Sequence, residues 1–172
     1  MVVATALALE AGQAMLHAKA LCAVDGRNSK EGDGVSYKGR HDLVTKTDRS
    51  NEVLIERGLC EAFPEDQFLG EEASAERGGA PSELSDQVLT WIVDPIDGTT
   101  NFVHGFPVSC VSIGLARGNE ASRFFFNPFT KELYQAVKGG GSFLNGDRLE
   151  ASRTAVLEQA MVVSAKGTCA ML

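Results

Sequence analysis

The sequence predicts an α+β fold, with two helices packed on a mostly antiparallel sheet. Three observations lead there. The N-terminal third carries two helical patterns, while the rest is built from short apolar or alternating runs. Those runs are separated by brief Gly-, Pro- and Asn-bearing turns, the spacing of hairpins rather than of strand–helix–strand units. The length of 172 residues, 44% hydrophobic and 23% charged, suits one domain with a sizeable core.

Taken in order, residues 3–24 are Ala- and Leu-rich without proline and predict the first helix. The polar, glycine-bearing stretch 25–42 is expected to be a loop. Asp48 suits the N-cap of a second helix, with Asn51 and Glu52 in its first turn. Ile55, Leu59 and Phe63 then recur on one face, and Pro64 ends the helix. "QFLGEE", residues 67–72, predicts a strand running into a glycine turn, and 73–87 a surface loop. The apolar run 88–93 predicts a further strand, and "PVSCVSIGLARG", 107–118, alternates well enough for another. Residues 122–137 predict a hairpin turning at Asn127-Pro128-Phe129-Thr130. The pair Asn145-Gly146 predicts one more turn, and "QAMVVSA", 159–165, the start of a last strand. The stop soon after that strand predicts that further sequence, and with it a further domain, is missing.

A net charge of −7 argues against nucleic acid or an anionic membrane as the main partner. It leaves room for a small anionic substrate, because a bound metal reverses the local field. Cys22, Cys60, Cys110 and Cys169 are widely spaced and form no C-x-x-C pair, and only three histidines are present, so a structural zinc site is not expected. The thiols are read as reduced, which places the chain in the cytoplasm. No apolar run has the length of a membrane span. The start lacks a basic segment and carries Glu10 within its apolar pattern, favouring a helix over a signal peptide. His41 and Lys46 are expected at the surface, His104 in a structural role and Cys110 in the core. The glycines at 139–141 fit a turn better than a phosphate loop.

The chemistry concentrates in "WIVDPIDGTTNF", residues 91–102. An apolar strand delivers Asp94 and Asp97 to its end, and Pro95 between them fixes φ and removes a donor. The two carboxylates, with a carbonyl such as that of Ile96, form an oxygen set suited to Mg²⁺. Gly98 permits a tight turn, and Thr99-Thr100-Asn101 can open a short helix whose free amides attract phosphate. Asp-Pro and Asp-Gly are each ordinary turn pairs. Their combination after an apolar strand favours a functional site. Glu71, after Gly70, is a candidate third carboxylate, and Asp48 with Thr99 could orient and deprotonate a water.

In this order, "DLVTKTD", "FLGEE", "WIVDPIDGTTNFVHGFPVSCVSIGLA" and "GGGSFLNG" resemble the inositol monophosphatase family of Mg²⁺-dependent, lithium-sensitive sugar phosphatases. The resemblance implies a layered α/β sandwich, of which residues 1–172 would be the N-terminal metal-binding domain, and a homodimer at full length. It implies Glu71, Asp94, the Ile96 carbonyl and Asp97 as metal ligands. It implies Asp48 and Thr99 as the pair activating water, with Glu71 beside them, and Asp97, Gly98 and Thr99 as phosphate contacts. The implied reaction hydrolyses inositol monophosphate to inositol and phosphate. Bisphosphate nucleotidases, fructose bisphosphatases and other sugar-phosphate phosphatases are alternatives, as is a truncated, non-catalytic chain. The family's later W-D motif has no counterpart: Trp91 is the single tryptophan, and the family's C-terminal domain is expected to be absent.

Overall fold

The computed structural model describes residues 2–28, 37–76, 78, 85–118 and 120–161. Helices α1 (Val2–Asn28) and α2 (Tyr37–Ala62) come first, followed by β1 (Gln67–Gly70) and the short α3 (Glu71–Glu76). Strand β2 (Thr90–Asp97), α4 (Thr99–His104) and strands β3 (Cys110–Arg117) and β4 (Glu120–Asn127) follow. Then come β5 (Glu132–Val137), β6 (Gly141–Leu144) and β7 (Asp147–Leu149). The seven strands lie side by side in chain order. β1 and β2 pair in parallel, joined by a connection containing α3, and every later pair is antiparallel. This is the α+β architecture read from the sequence.

The core lies between the two long helices and one face of the sheet. On α1, Ala4, Ala8, Ala11, Met15 and Ala18 are buried at three- and four-residue spacings, and the small side chains let the helix approach closely. Gly12 faces the ring of Phe126, and a Cβ there would strike it. The sheet answers with Trp91, Val93, Val111, Ile113, Phe124 and Phe126, all buried. Register aligns Val93 with Ile113 and Ile113 with Phe124, so one apolar row crosses three strands. Each such side chain contributes about 1.5–3 kcal/mol of burial. The opposite face carries Ile92, Ser112, Gly114, Phe125 and Tyr134, with Ile92 and Tyr134 exposed.

Polar ties fix the layers. Asn51 on α2 donates its side-chain amide to the Ala11 carbonyl of α1 at 3.1 Å. Trp91 donates its indole N–H to Asp66 at 2.9 Å and packs 5.3 Å, centre to centre, from the Phe63 ring. These contacts lock the end of α2 to the β1–β2 pair.

Several expectations need correction. Residues 25–28 and 37–42, expected as loop, are helical, while 29–36 lie outside the described residues. Asp48 is therefore inside α2 and not its cap. Nothing in 40–48 is a proline, and Asp48, Asn51, Glu52, Ile55 and Leu59 form one continuous buried stripe. Packing along that stripe outweighs the modest helix propensity of its polar members. The surface loop expected from residue 73 instead begins as α3. Strand β2 continues past Val93 to Asp97. Near the C-terminus, Leu157–Gln159 form a single 3₁₀ turn, and 162–165 lie outside the described residues. Cys110, expected in the core, is half-buried.

Candidate active site

Two carboxylates three residues apart on a regular strand would point to opposite faces. The structure resolves this with a bulge. Asp94 pairs with Ser112 and Asp97 with Cys110, so three steps along β2 oppose two along β3. The extra residue, in the Pro95-Ile96 segment, returns Asp97 to the face that carries Asp94. Pro95 suits this place because the parallel partner β1 ends its ladder at Val93, and no donor is needed beyond it.

Glu71 arrives from the turn after β1, as the first residue of α3. Asp48 arrives from α2 and is buried, with its Oδ1 lacking any hydrogen-bond partner. Three separate elements thus bring Asp48, Glu71, Asp94 and Asp97 together. Their proximity is visible in their acidity. Burial, a hydrogen bond shared with Glu71, and the charges of Glu71, Asp97 and Asp48 push the Asp94 carboxyl up to about 8. Burial and the charges of Glu72, Glu71 and Glu52 push Asp48 up to about 8, although a hydrogen bond from the Ile96 backbone works in the opposite sense. The Glu72 carboxyl is raised too, by burial and by Glu52 and Glu71, against the pull of Arg49.

The turn after β2 supplies the remaining predicted residues. The Ile96 N–H donates to Asp94 Oδ1 at 3.1 Å, and the Ile96 carbonyl accepts the Thr99 hydroxyl at 3.0 Å. Thr99 therefore bonds to Ile96 and not to Asp48 in this arrangement. Gly98 has φ 84°, a left-handed conformation that favours glycine, and a Cβ there would lie 2.9 Å from the Val108 carbonyl oxygen. Helix α4 starts directly after it, with no side chain capping its first amides. Asp97 and Glu71 are exposed, whereas Asp94 and Thr99 are half-buried. Glu71 and Asp94 line a cleft of ≈ 440 Å³ beside α3, and Asp97 and Gly98 line another of ≈ 650 Å³.

Three residues near the site were not read as site residues from sequence. Glu52 accepts the amides that open α3. Its signal was the four-residue spacing from Asp48, which shares a face only once that segment is helical. Arg49 reaches Glu72 at 3.8 Å and Glu76 at 2.9 Å. The Cys110 thiol donates to Asp97 Oδ2 at 3.9 Å. Burial and the charges of Asp97 and Asp94 push this thiol up to about 12, so it stays protonated and is a poor nucleophile.

The donor set suits a hard cation. Every side-chain donor is a carboxylate, the raised Asp94 and Asp48 carboxyls mark excess negative charge, and the orphaned Asp48 oxygen is an unspent acceptor. Among the described residues, no group of three or more His, Cys, Asp or Glu side chains is arranged so that it could hold a metal ion as it stands. A cation here would take its other ligands from the Ile96 carbonyl, water and a substrate phosphate. Among the same residues, no helix is long and apolar enough to cross a membrane.

Known proteins share this sequence pattern and fold. The Inositol monophosphatase family profile matches residues 1–170. "Inositol monophosphatase 2" of Solanum lycopersicum is 47% identical over 135 residues, spanning 78% of this chain and 50% of that protein. Inositol monophosphatase-II of Staphylococcus aureus MSSA476 superposes with a TM-score of 0.69 at 28% identity, over 91% of this chain and 53% of that one. The suhB protein of Bartonella henselae gives 0.66 at 31% identity, over 90% and 54%. The chain spans about half the length of the relatives it matches. With the bulged D-P-I-D-G-T-T strand end, the Glu71 turn and the profile match in agreement, the chain belongs to the inositol monophosphatase family.

Proposed function

We propose that the protein containing this chain is a Mg²⁺-dependent phosphomonoesterase that hydrolyses inositol monophosphate to inositol and phosphate. One observation carries the reading: four carboxylates from α2, the β1–α3 turn and β2 lie close together, and the uncapped α4 begins two residues after Asp97. Glu71, Asp94, Asp97 and the Ile96 carbonyl would hold the metal. When bound, Mg²⁺ supplies a more acidic water and neutralises phosphoryl charge. Burial and neighbouring carboxylates raise the Asp48 carboxyl to about 8 without a cation; a cation beside it would favour the ionised form, which would accept a proton from that water. Thr99 would orient the water once its hydroxyl leaves the Ile96 carbonyl. The amides opening α4, beside Gly98 and Thr99, would receive the phosphate oxygens. Water adds to phosphorus in line as the ester P–O bond breaks, Asp48 takes the water's proton, and solvent protonates the departing alkoxide.

An aspartyl phosphoenzyme is the alternative chemistry for a D-G-T sequence. Its nucleophile would precede Asp97 by two residues, where Pro95 stands. Direct attack is therefore the reading, with no covalent intermediate. Hydrolysis of a phosphate ester made chiral at phosphorus by oxygen isotopes should proceed with inversion in the full-length enzyme, the mark of a single in-line displacement. Trapping phosphate on Asp94 or Asp97 would overturn it.

The substrate is tested with a panel. Full-length enzyme should prefer inositol monophosphate over a nucleoside bisphosphate or fructose bisphosphate, and should lose activity in chelator. The remaining length of the relatives is the further domain in this reading, and a cytoplasmic homodimer is the expected full-length form. Residues 1–172 alone should be a poor catalyst. Activity of this chain matching the full-length enzyme would refute that division.

A further inference from the structure

We infer that Glu52 is a positioning residue that fixes Glu71 against Asp94 and Asp48. The inference rests on the cation reading of the same site. Helix α3 begins at Glu71, so its first amides have no partner within the helix. The residue before it, Gly70, has no side chain to cap them. Glu52 does so from a different helix: Oε2 accepts the Glu72 N–H and Oε1 accepts the Ala73 N–H, both at 2.8 Å. Both oxygens are thus engaged, and Glu52 is only 5% exposed. Acceptance at both oxygens makes a two-point grip on the start of α3.

Gly70 belongs to the same device. A Cβ at this position would collide with the Glu52 carboxylate. The glycine therefore clears the space through which Glu52 reaches α3. A local cap at position 70 would satisfy the same amides but would leave the turn free to move relative to α2. Glu52 instead stands one helical turn after Asp48 and joins the backbone under Glu71 to the helix that carries Asp48. The arrangement also has a cost, since Glu52 adds negative charge beside Asp48 and Glu72. A mere helix cap would not need that cost. Arg49 makes a second, outer strap to Glu72 and Glu76, but it is largely exposed and correspondingly weak.

The test titrates Mn²⁺, as a spectroscopic substitute for Mg²⁺, into the full-length protein by electron paramagnetic resonance. Glu52→Gln keeps the volume but replaces one acceptor with a donor that faces an N–H. Gly70→Ala keeps Glu52 and displaces its carboxylate. Both should weaken Mn²⁺ binding about 10–100-fold. Asn51→Ala, which cuts the tie to α1, is the control and should leave the affinity unchanged while lowering Tm. Wild-type affinity in folded Glu52→Gln overturns the inference, and so does equal weakening in Asn51→Ala. If Glu52→Gln does not fold, Gly70→Ala decides in the same way. If the wild-type protein binds no Mn²⁺, the cation reading fails on its own, and amide exchange then decides the placement. Faster exchange at Glu72 and Ala73 in Glu52→Gln upholds the grip, and unchanged exchange overturns it.

Discussion

The inner face of α2 has two halves that are equally buried and chemically opposite. Ile55 and Leu59 in the later turns are 0% and 1% exposed and pack into the apolar core. Asp48 and Glu52 in the earlier turns are 4% and 5% exposed and are surrounded by other carboxylates. Burial stabilises the first pair and penalises the second. One helix thus serves packing at one end and chemistry at the other, and Asn51 between them ties the helix to α1. Burial alone does not identify a core residue. The contrast shows where stability is given up, and that place coincides with the D-P-I-D-G-T-T strand end.

Substitutions along this helix should separate the two halves. The largest effect is on activity: Asp48→Asn in the full-length enzyme should lower kcat about 10²–10⁴-fold. Ile55→Val should leave kcat near wild type, and a comparable loss there would erase the distinction. The next effect is on stability, where Ile55→Ala should cost about 2–5 kcal/mol by urea denaturation, through lost burial and the cavity left behind. Asn51→Ala should cost about 0.5–1.5 kcal/mol, the net worth of the hydrogen bond that ties α2 to the Ala11 carbonyl.

The smallest effect has a sign peculiar to the polar half. The Asp48 carboxyl is raised in the folded state from 3.8 to about 8. A raised carboxyl pKa gives stability that is present below the unfolded value and lost as pH rises through the folded one. In metal-free protein, Asp48→Asn should therefore match wild type near pH 4 and exceed it in Tm by a few degrees near pH 8, followed by calorimetry. A gap that narrows with pH would contradict the burial of a charge-averse Asp48. Saturating Mg²⁺ should raise the wild-type Tm and close the gap.

Much of this was legible in the sequence because the determinants are local. The hairpin turn at Asn127-Pro128 and the Asn145-Gly146 turn carry their own chemistry, and both fall where expected. The carboxylates of the strand end were also evident as a cluster of residue types. Non-local determinants were not legible. Helix α3 takes its cap from Glu52, 20 residues earlier in the chain, so its own sequence gives no start signal. The early turns of α2 are helical because their polar stripe is buried against other elements, which no local pattern of Thr, Asp and Asn reports. That Asp94 and Asp97 share a face depends on how β2 registers with β3.

The bulge in β2 also bears on how such a chain can evolve. Substitutions near Asp94 change one side chain at a time and can be accepted or rejected individually. Loss of a single codon at position 95 or 96 differs in kind. It would leave the two aspartates two residues apart and still on one face of a regular strand, but would remove the bulge in which the Ile96 N–H donates to Asp94 and the Ile96 carbonyl accepts the Thr99 hydroxyl. The segment can therefore vary in composition while its length is held constant.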